Sequence, residues 1–167
     1  MATRVRGSRA GLSGGSVRRS ARRLAISILA ATVAAVTLAT PAQAANPFTA
    51  AQACNNDFGG SWAYASDGHR SITAPDGTRV GDVYLMYNSA SGYNCVATLK
   101  RVALGSTTGA SAGIRVEGDS WVDDSGSYKY YAAIQRSARD KCVMYRGEVL
   151  YATSWQSAGR SSWGNCG

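Results

Sequence analysis

The feature that most restricts the fold of this chain is a set of four widely spaced cysteines, Cys54, Cys95, Cys142 and Cys166. Every interval between neighbours exceeds twenty residues, whereas protein zinc sites use close pairs such as C-x-x-C. An even number of cysteines in an exported protein indicates disulfides, and four cysteines allow three pairings. We favour Cys54–Cys95 and Cys142–Cys166, each of which would stabilise the domain by roughly 3–4 kcal/mol. The other two pairings stay open.

The N-terminal segment has the pattern of a secretory signal peptide. Seven arginines and no acidic residue lie in the first 23 positions, and the uncharged run LAISILAATVAAVTLAT follows. The segment ends in Ala42-Gln43-Ala44, which offers small residues at the positions that a signal peptidase requires. We therefore predict a signal peptide over residues 1–44, cleavage after Ala44, and a single secreted all-β domain over residues 45–167.

Two other uses of this leader stay open. The apolar run is nearly long enough for an uncleaved membrane anchor, and the pairs Arg18-Arg19 and Arg22-Arg23 allow twin-arginine export. Removing the leader leaves 11 of the 18 basic residues against all ten acidic ones, so seven of the eight net positive charges belong to the leader. Electrostatic binding of nucleic acid therefore loses its support, and membrane contact is expected only during export.

The first residues after the leader predict one short helix. Asn46 fits a helix cap, Pro47 fits the first turn, and apolar residues recur at three-residue spacing up to Cys54. The stretch NNDFGGS, residues 55–61, is expected to end this helix.

Alternation of apolar and polar residues predicts strands in the rest of the chain. It is clear over residues 83–88 and 95–100, on either side of NSASGYN, in which Gly92 can adopt a positive φ. This arrangement is typical of a β-hairpin with a longer loop. Reversal of the strand explains Tyr87 and Tyr93 without any ligand.

The same alternation continues towards the C-terminus. It is found over residues 114–117, 128–135 and 142–149, while DDSGS (123–127) and SARD (137–140) predict turns. Short strands separated by turns indicate an all-β fold. We expect a small disulfide-linked β-sandwich or barrel with a short N-terminal helix.

Candidate catalytic and metal-binding residues are few. His69 is the single histidine, and no G-x-S-x-G motif accompanies it, so a polar turn residue is favoured over a hydrolase base. The two glutamates, Glu117 and Glu148, could serve a glycosidase but lie in alternating segments. Three aspartates could gather around calcium, although their spacing differs from an EF-hand: Asp119, Asp123 and Asp124. We therefore expect no catalytic residue, no metal and no cofactor.

The aromatic residues are the strongest candidates for binding. All fifteen lie after the leader, and six of them could form a stacking surface for sugar or protein: Tyr128, Tyr130, Tyr131, Trp121, Trp155 and Trp163. Most aromatic rings are expected in the core of a domain poor in Leu, Ile and Phe. Tyr131 and Trp155 are the two we expect to be exposed, and they form the candidate binding surface.

Several motifs together carry a resemblance to a known family. They are AAQAC, VYLMYNSASGYNCVATLK, DSGSYKYYA, CVMYRG and the terminal NCG. In their order and in the placement of all four cysteines they resemble the actinobacterial spore-associated protein A family. This resemblance implies a small exported protein of aerial hyphae and spore surfaces. It carries over no catalytic residue, because the family has none assigned.

We expect a secreted, non-catalytic protein associated with the spore or cell surface, with cell-wall or spore-surface components as partners and an oligomeric state left open. The alternative is a secreted binding module, such as a carbohydrate-binding domain or a protease inhibitor. An inhibitor would present a rigid loop, for which the stretch around Cys142 or Asp76-Gly77-Thr78-Arg79 is the candidate.

Overall fold

The computed structural model describes residues 45–167, which form two four-stranded sheets and one short helix. The predicted signal peptide, residues 1–44, lies outside the described residues. The elements in chain order are α1 (Ala50–Phe58), β1 (Ala63–Thr73), β2 (Arg79–Asn88), β3 (Tyr93–Lys100), β4 (Thr108–Val116), β5 (Val122–Tyr128), β6 (Tyr131–Ser137), β7 (Val143–Tyr151) and β8 (Ser154–Gly164).

The first sheet has the strand order β1-β2-β3-β6, and the second sheet has the order β5-β4-β7-β8. Neighbouring strands pair antiparallel in both sheets. The predicted hairpin is β2–β3, and Gly92 in its loop has a φ of 75°. Because residues of both sheets share one apolar core, the fold is a β-sandwich. The prediction of an all-β fold with a short N-terminal helix is confirmed.

The core between the sheets is built from alternate residues of the central strands. Its fully buried members include Val83, Leu85 and Val96 from the first sheet and Ala112, Ile114, Val143 and Val149 from the second. Burial of each larger aliphatic side chain contributes roughly 1.5–3 kcal/mol. Since successive side chains of a strand point to opposite faces, the residues between these core positions form two outer faces.

Helix α1 packs on the outer face of the first sheet, against β2, β3 and β6. Ala50, Ala53 and Cys54 are its buried residues, and they belong to a second apolar cluster. The sheet and the helix–strand loop contribute the rest of this cluster, which includes Trp62, Met86, Ala97, Leu99 and Ala133. The helix is amphipathic and short, so its stability depends on this packing. Among residues 45–167, no helix is long and apolar enough to cross a membrane.

The helix begins three residues later than predicted. Thr49 is the N-cap, because its hydroxyl accepts from the Gln52 backbone N–H while the Gln52 side chain accepts from the Thr49 N–H. This capping box outweighs the Asn-Pro signal. Asn46 instead ties the chain to the sandwich, since its Nδ2 donates to the carbonyl oxygens of Lys100 and Tyr130 at 2.9 and 2.8 Å.

The two disulfides have the pairing that the sequence favoured. Cys54–Cys95 joins helix α1 to β3 and spans 41 residues of sequence. Cys142–Cys166 spans 24 residues and joins the residue before β7 to the end of the chain. The first bridge therefore links the helix covalently to its sheet, and the second links the chain just after β8 to the residue before β7.

The predicted turn at residues 123–127 is wrong. This stretch is part of β5, in which Asp123 and Asp124 point to opposite faces. Asp123 pairs with Arg146, and Asp124 accepts from the Tyr128 hydroxyl, so partners elsewhere in the fold outweigh the turn preference of Asp, Ser and Gly. The chain bends at residues 129–130 instead and passes from the second sheet to the first, which divides the strand predicted over 128–135 into β5 and β6.

The polar stretch around His69 lies inside β1 and is not a turn between strands. The pairing of β1 with β2 shifts between Tyr64 and His69, which marks a β-bulge. Asp67 within it has a φ of 50°, a conformation that aspartate adopts more readily than most residues. The polar sequence signal was therefore correct about an irregularity but not about its kind.

A buried lysine closes one end of the sandwich. Lys100 is fully buried at the end of β3, and its Nζ donates to the carbonyl oxygens of Ala103, Ser106 and Tyr128. Burial lowers the pKa of this amine. The three carbonyls occupy all three ammonium donors, so the charge stays satisfied inside the fold.

Candidate functional site

Three of the four tryptophans lie on the outer face of the second sheet, opposite the core. Helix α1 packs on the first sheet, so it leaves this surface open. We call the surface the tryptophan face and define it by Trp121 and the outward residues of the four strands. These are Gly109, Ser111, Gly113 and Arg115 of β4, Asp123, Ser125 and Ser127 of β5, Met144, Arg146, Glu148 and Leu150 of β7, and Trp155, Ser157, Gly159 and Trp163 of β8.

In the middle of this face, a glycine makes room for long side chains of the neighbouring strands. Gly113 on β4 lies between Asp123 on β5 and Arg146 on β7. A Cβ at Gly113 would collide with the Asp123 carboxylate and would lie 2.9 Å from Arg146 Cγ. The glycine therefore allows two long charged side chains to meet across the strand. The next row of the face is formed by Ser125, Ser111, Glu148 and Ser157.

Trp155 lies across β4 at one end of the face. A Cβ at Gly109 would be 2.6 Å from Cη2 of the indole and 3.0 Å from Leu150 Cβ. Glycine at this position thus allows the ring to rest against the strand. Trp155 is nevertheless 48% exposed, so a large part of its apolar surface faces solvent.

An ion pair lies beside Trp121. Arg146 Nε and Nη2 donate to the two carboxylate oxygens of Asp123 at 2.9 and 2.7 Å. The guanidinium carbon of Arg146 also lies 4.6 Å from the centroid of the Trp121 ring, which is a cation–π contact. The hydrogen bonds that the Asp123 carboxylate accepts raise the pKa of Arg146. Trp121 is therefore held in a fixed position.

A second arginine lies beside Trp163 at the other end of the face. The guanidinium carbon of Arg115 is 5.4 Å from the centroid of the Trp163 ring, and Arg115 Nε donates to the Asp119 carbonyl oxygen at 3.0 Å. Trp163 is 40% exposed. The four charged side chains of the tryptophan face, two arginines with Asp123 and Glu148, cancel each other.

A groove crosses the tryptophan face next to Trp121. Its volume is about 380 Å³, which lies within the range of ligand sites, roughly 300–1,000 Å³. Arg146, Glu148, Ser157 and Gly159 contribute to its walls. The groove thus combines an indole with hydroxyl, carboxylate and guanidinium groups, which can donate and accept hydrogen bonds.

A different polar cluster lies on the outer face of the first sheet, around Asp82. This carboxylate is 1% exposed. Its Oδ1 accepts from Nε2 of His69 at 2.8 Å, from the Ser71 hydroxyl at 3.2 Å and from Arg79, and its Oδ2 accepts from Arg101. Both carboxylate oxygens are hydrogen-bonded within the fold.

Opposing effects set the pKa of Asp82. Burial raises it, but the hydrogen bonds from Arg79, Arg101 and His69 together lower it more, so the pKa lies below the ordinary value of 3.8. The His69 ring also stacks on Tyr84, with 4.5 Å between ring centroids. The cluster is therefore a charged carboxylate held by cations, which links β1, β2 and the end of β3.

Comparison with known proteins finds a similarity to spore-associated protein A of Streptomyces coelicolor. The two sequences are 33% identical over 102 residues. The chain resembles spore-associated protein A. The match covers 60% of this chain and 62% of the relative, which is under two thirds of the relative's length. No protein-family model and no solved structure matches the chain. The resemblance inferred from the motifs is confirmed.

The two aromatic residues of the predicted binding surface lie on different sheets. Trp155 belongs to the tryptophan face, whereas Tyr131 belongs to the outer face of the first sheet. Tyr131 is half-buried, because its ring packs 5.3 Å from that of Phe48 and its hydroxyl donates to Asp57. Burial raises the pKa of Tyr131. The expectation that Tyr131 is exposed is therefore corrected, and it is not part of the candidate site.

The hydrolase constellation does not form around His69. Ser71 donates to Asp82 rather than to His69, so both side chains bind the same carboxylate oxygen. A catalytic triad requires the serine hydroxyl to bond to the histidine. The geometry supports a structural role for His69, in a strand rather than in the predicted turn.

The acidic candidates are also dispersed. Asp123 and Asp124 point to opposite faces of β5, and no group of metal-ligating side chains is found within residues 45–167. Glu117 follows the last pair of β4 and β7, six residues beyond Ser111, the partner of Glu148. At about 3.4 Å per residue the glutamates are roughly 20 Å apart, beyond the roughly 5–10 Å of glycosidase pairs.

Sequence reasoning missed the residues that shape the polar cluster around Asp82 and the tryptophan face. Asp82 is a charged residue within a strand of apolar alternation, which is a signal for a buried partner. Gly109 and Gly113 interrupt a strand, and an isolated glycine there indicates a close approach by another group. These signals predict that another group lies close to the strand, but they do not identify which side chain it is.

Proposed function

We propose that this protein is an extracellular, non-catalytic component of the cell or spore surface that attaches through its tryptophan face. The similarity to a protein named for its association with spores supports this setting. Two disulfides support an oxidising compartment, since such bridges persist mainly outside the cytosol. The proposed partners are components of the cell wall or the spore surface.

One observation carries the proposal: helix α1 covers β2, β3 and β6 on the outer face of one sheet, whereas two indoles are exposed on the outer face of the other. Trp62, which belongs to the apolar cluster of helix α1 and the first sheet, is 8% exposed. Trp155 and Trp163 on the tryptophan face are 48% and 40% exposed. Solvent exposure of several large apolar groups on one face is typical of an interaction site. Arg115 lies against the Trp163 ring, and Gly109 leaves room for the Trp155 ring to rest against β4.

A non-catalytic role is supported by how the reactive groups are used. All four cysteines are in disulfides, so no thiolate is available from them. His69 is bound to a carboxylate that arginines already neutralise. Glu117 and Glu148 are too far apart to act together. These side chains serve the fold or the face.

The protease-inhibitor alternative fits the geometry less well. Residues 74–78 form a closed turn, in which Ala74 and Thr78 bond through their backbones at 2.8 Å. Arg79, the one basic residue of that loop, is bound to the buried Asp82. An inhibitory loop has to present an accessible side chain to the protease, and Arg79 is already engaged.

The proposal is tested by fractionating cultures of the producing organism that express full-length wild-type protein or variants. Wild type and Tyr64→Ala, a control for the most exposed ring on the first sheet, are expected on washed spores or cell walls. The double variant Trp155→Ala/Trp163→Ala is expected in the medium. Non-reducing mass spectrometry of the washed protein should give Ala45 as the N-terminus and both disulfides.

Three results would contradict the proposal. The first is retention of the double tryptophan variant at the wild-type level. The second is a cytoplasmic location with free thiols. The third is stoichiometric inhibition of an extracellular protease by the purified protein, which would favour the inhibitor alternative.

A further inference from the structure

We infer that the tryptophan face binds a neutral polysaccharide. This inference rests on the proposed function and specifies the chemical class of the surface component. Three properties of the face carry it: the spacing of the indoles, the polar groups between them, and the balance of charge.

The indoles are spread along the face instead of forming one patch. Trp155 and Trp163 lie on the same strand, eight residues apart, which corresponds to roughly 25 Å at about 3.3 Å per residue. Trp121 lies at the opposite edge of the sheet, beside the groove. A single small ligand cannot reach all three rings. A long chain of repeating units can contact them in succession.

The surface between the indoles is formed by polar side chains and glycines. Ser125 and Ser157 of the central row are exposed and offer hydroxyl groups, and Glu148 and the Arg146–Asp123 pair offer charged hydrogen-bonding groups. A pyranose ring has an apolar C–H face that packs on an indole and hydroxyls that bond to such groups. Exposed indoles with polar surroundings therefore match the two surfaces of a sugar.

The same polar groups disfavour a protein as the partner. The centre of a protein–protein interface is depleted of charged residues, because burying them without partners is costly. On the tryptophan face the charged residues Arg146, Asp123 and Glu148 occupy the centre, and the apolar rings lie at the ends. A second copy of the chain would bury the same charged centre on both sides of the interface.

The balance of charge favours a neutral chain over an acidic one. Arg146 is bound in a bidentate pair by Asp123, and the remaining charges, Arg115 and Glu148, are of opposite sign. Attraction of a polyanion needs an excess of cations, as at surfaces that bind phosphates. The face has none.

The inference is tested by sedimentation of the purified, oxidised protein with insoluble cellulose, chitin or β-1,3-glucan, and by electrophoresis through gels containing an acidic polysaccharide such as alginate. We expect at least one neutral polysaccharide to retain wild type and Tyr64→Ala. We expect about tenfold weaker retention for Trp155→Ala and for Trp163→Ala, and no loss of wild-type retention in 1 M NaCl. Thermal unfolding of each variant checks that it is folded.

Other outcomes overturn the inference. One is retention only by alginate with release in salt, which would indicate an acidic ligand. Another is a dimer in sedimentation velocity that Trp155→Ala disrupts, which would make the face a self-association surface. A third is the absence of binding to any of the neutral polysaccharides. If the tryptophan variants still leave the native surface in that last case, the proposed function stands and only the ligand class is wrong.

Discussion

The two sheets of this sandwich are alike in size and pairing, but their outer faces differ. On the first sheet, helix α1 covers β2, β3 and β6 and is held there by the Cys54–Cys95 bridge. Both oxygens of the buried Asp82 carboxylate on this face are hydrogen-bonded within the fold. The outer face of the second sheet is open: Trp155 and Trp163 are exposed on it, and Trp121 and Trp163 each lie beside an arginine. The outer face of the first sheet thus contributes to stability through its apolar contacts with the helix. The proposed function assigns binding to the uncovered face.

The largest expected effect comes from releasing the cover of the first sheet. The double variant Cys54→Ala/Cys95→Ala should lower the free energy of unfolding by about 4 kcal/mol, because the bridge closes a loop of 41 residues. Removing Cys142–Cys166 should lower it by about 3 kcal/mol, because that loop is shorter. Urea unfolding of the oxidised proteins measures both changes. A larger loss from the second bridge would contradict this ranking.

Truncation of a tryptophan on each side sharpens the comparison. Trp62→Ala should lower the free energy of unfolding by about 3–4 kcal/mol, because it empties a buried site and removes the indole hydrogen bond to the Gly59 carbonyl oxygen. Trp155→Ala should lower it by about 1 kcal/mol or less, because half of this ring is already in solvent. Thermal and urea unfolding compare them. Equal losses would remove the distinction between the faces.

The charged cluster of the first sheet predicts a dependence on pH. Asp82→Asn should lower the free energy of unfolding by about 2–3 kcal/mol at pH 7, below the full cost of a broken buried pair because the arginines reach solvent. The pKa of Asp82 is lower in the folded protein, so its stabilisation is present above about pH 4 and is lost as the pH falls through the folded pKa.

Urea unfolding of wild type and Asp82→Asn between pH 7 and pH 2 measures this effect. The difference between the two proteins should narrow below about pH 4. A constant difference across that range would show that the carboxylate charge does not contribute.

The smallest effect is expected at the helix cap. Thr49→Ala removes the hydroxyl that accepts from the Gln52 N–H and should lower the free energy of unfolding by about 1 kcal/mol. Attachment to the native surface should stay at the wild-type level, because the cap lies on the covered side. Reduced attachment of this folded variant would show that the first sheet takes part in binding.

The features carried by local pattern were predictable from the sequence. Alternation located β2, β3 and the hairpin between them, and the even number of cysteines indicated two bridges. The position of α1 was predicted to within three residues, because the capping box at Thr49 competes with the Asn46-Pro47 signal. These features depend on neighbours in the chain, which a sequence displays directly.

The features that depend on distant partners were not predictable. Residues 123–127 have turn composition, yet the pairs Asp123–Arg146 and Asp124–Tyr128 and the β4 ladder make them a strand. Trp121 and Trp163 were candidates for a stacking surface, but alternation cannot say that they share a face with Trp155. Tyr131 was assigned to the surface because the helix that partly covers it is 74 residues away in sequence.

Oxidative footprinting of the protein while it is attached to its native surface tests the central claim most directly. Hydroxyl radicals modify exposed aromatic rings, and mass spectrometry compares each ring in attached and free protein. We predict that Trp155 and Trp163 become protected on attachment, while Tyr64 on the first sheet is modified as in the free protein. Protection of Tyr64 with unchanged modification of Trp155 and Trp163 would contradict the assignment of binding to the open sheet.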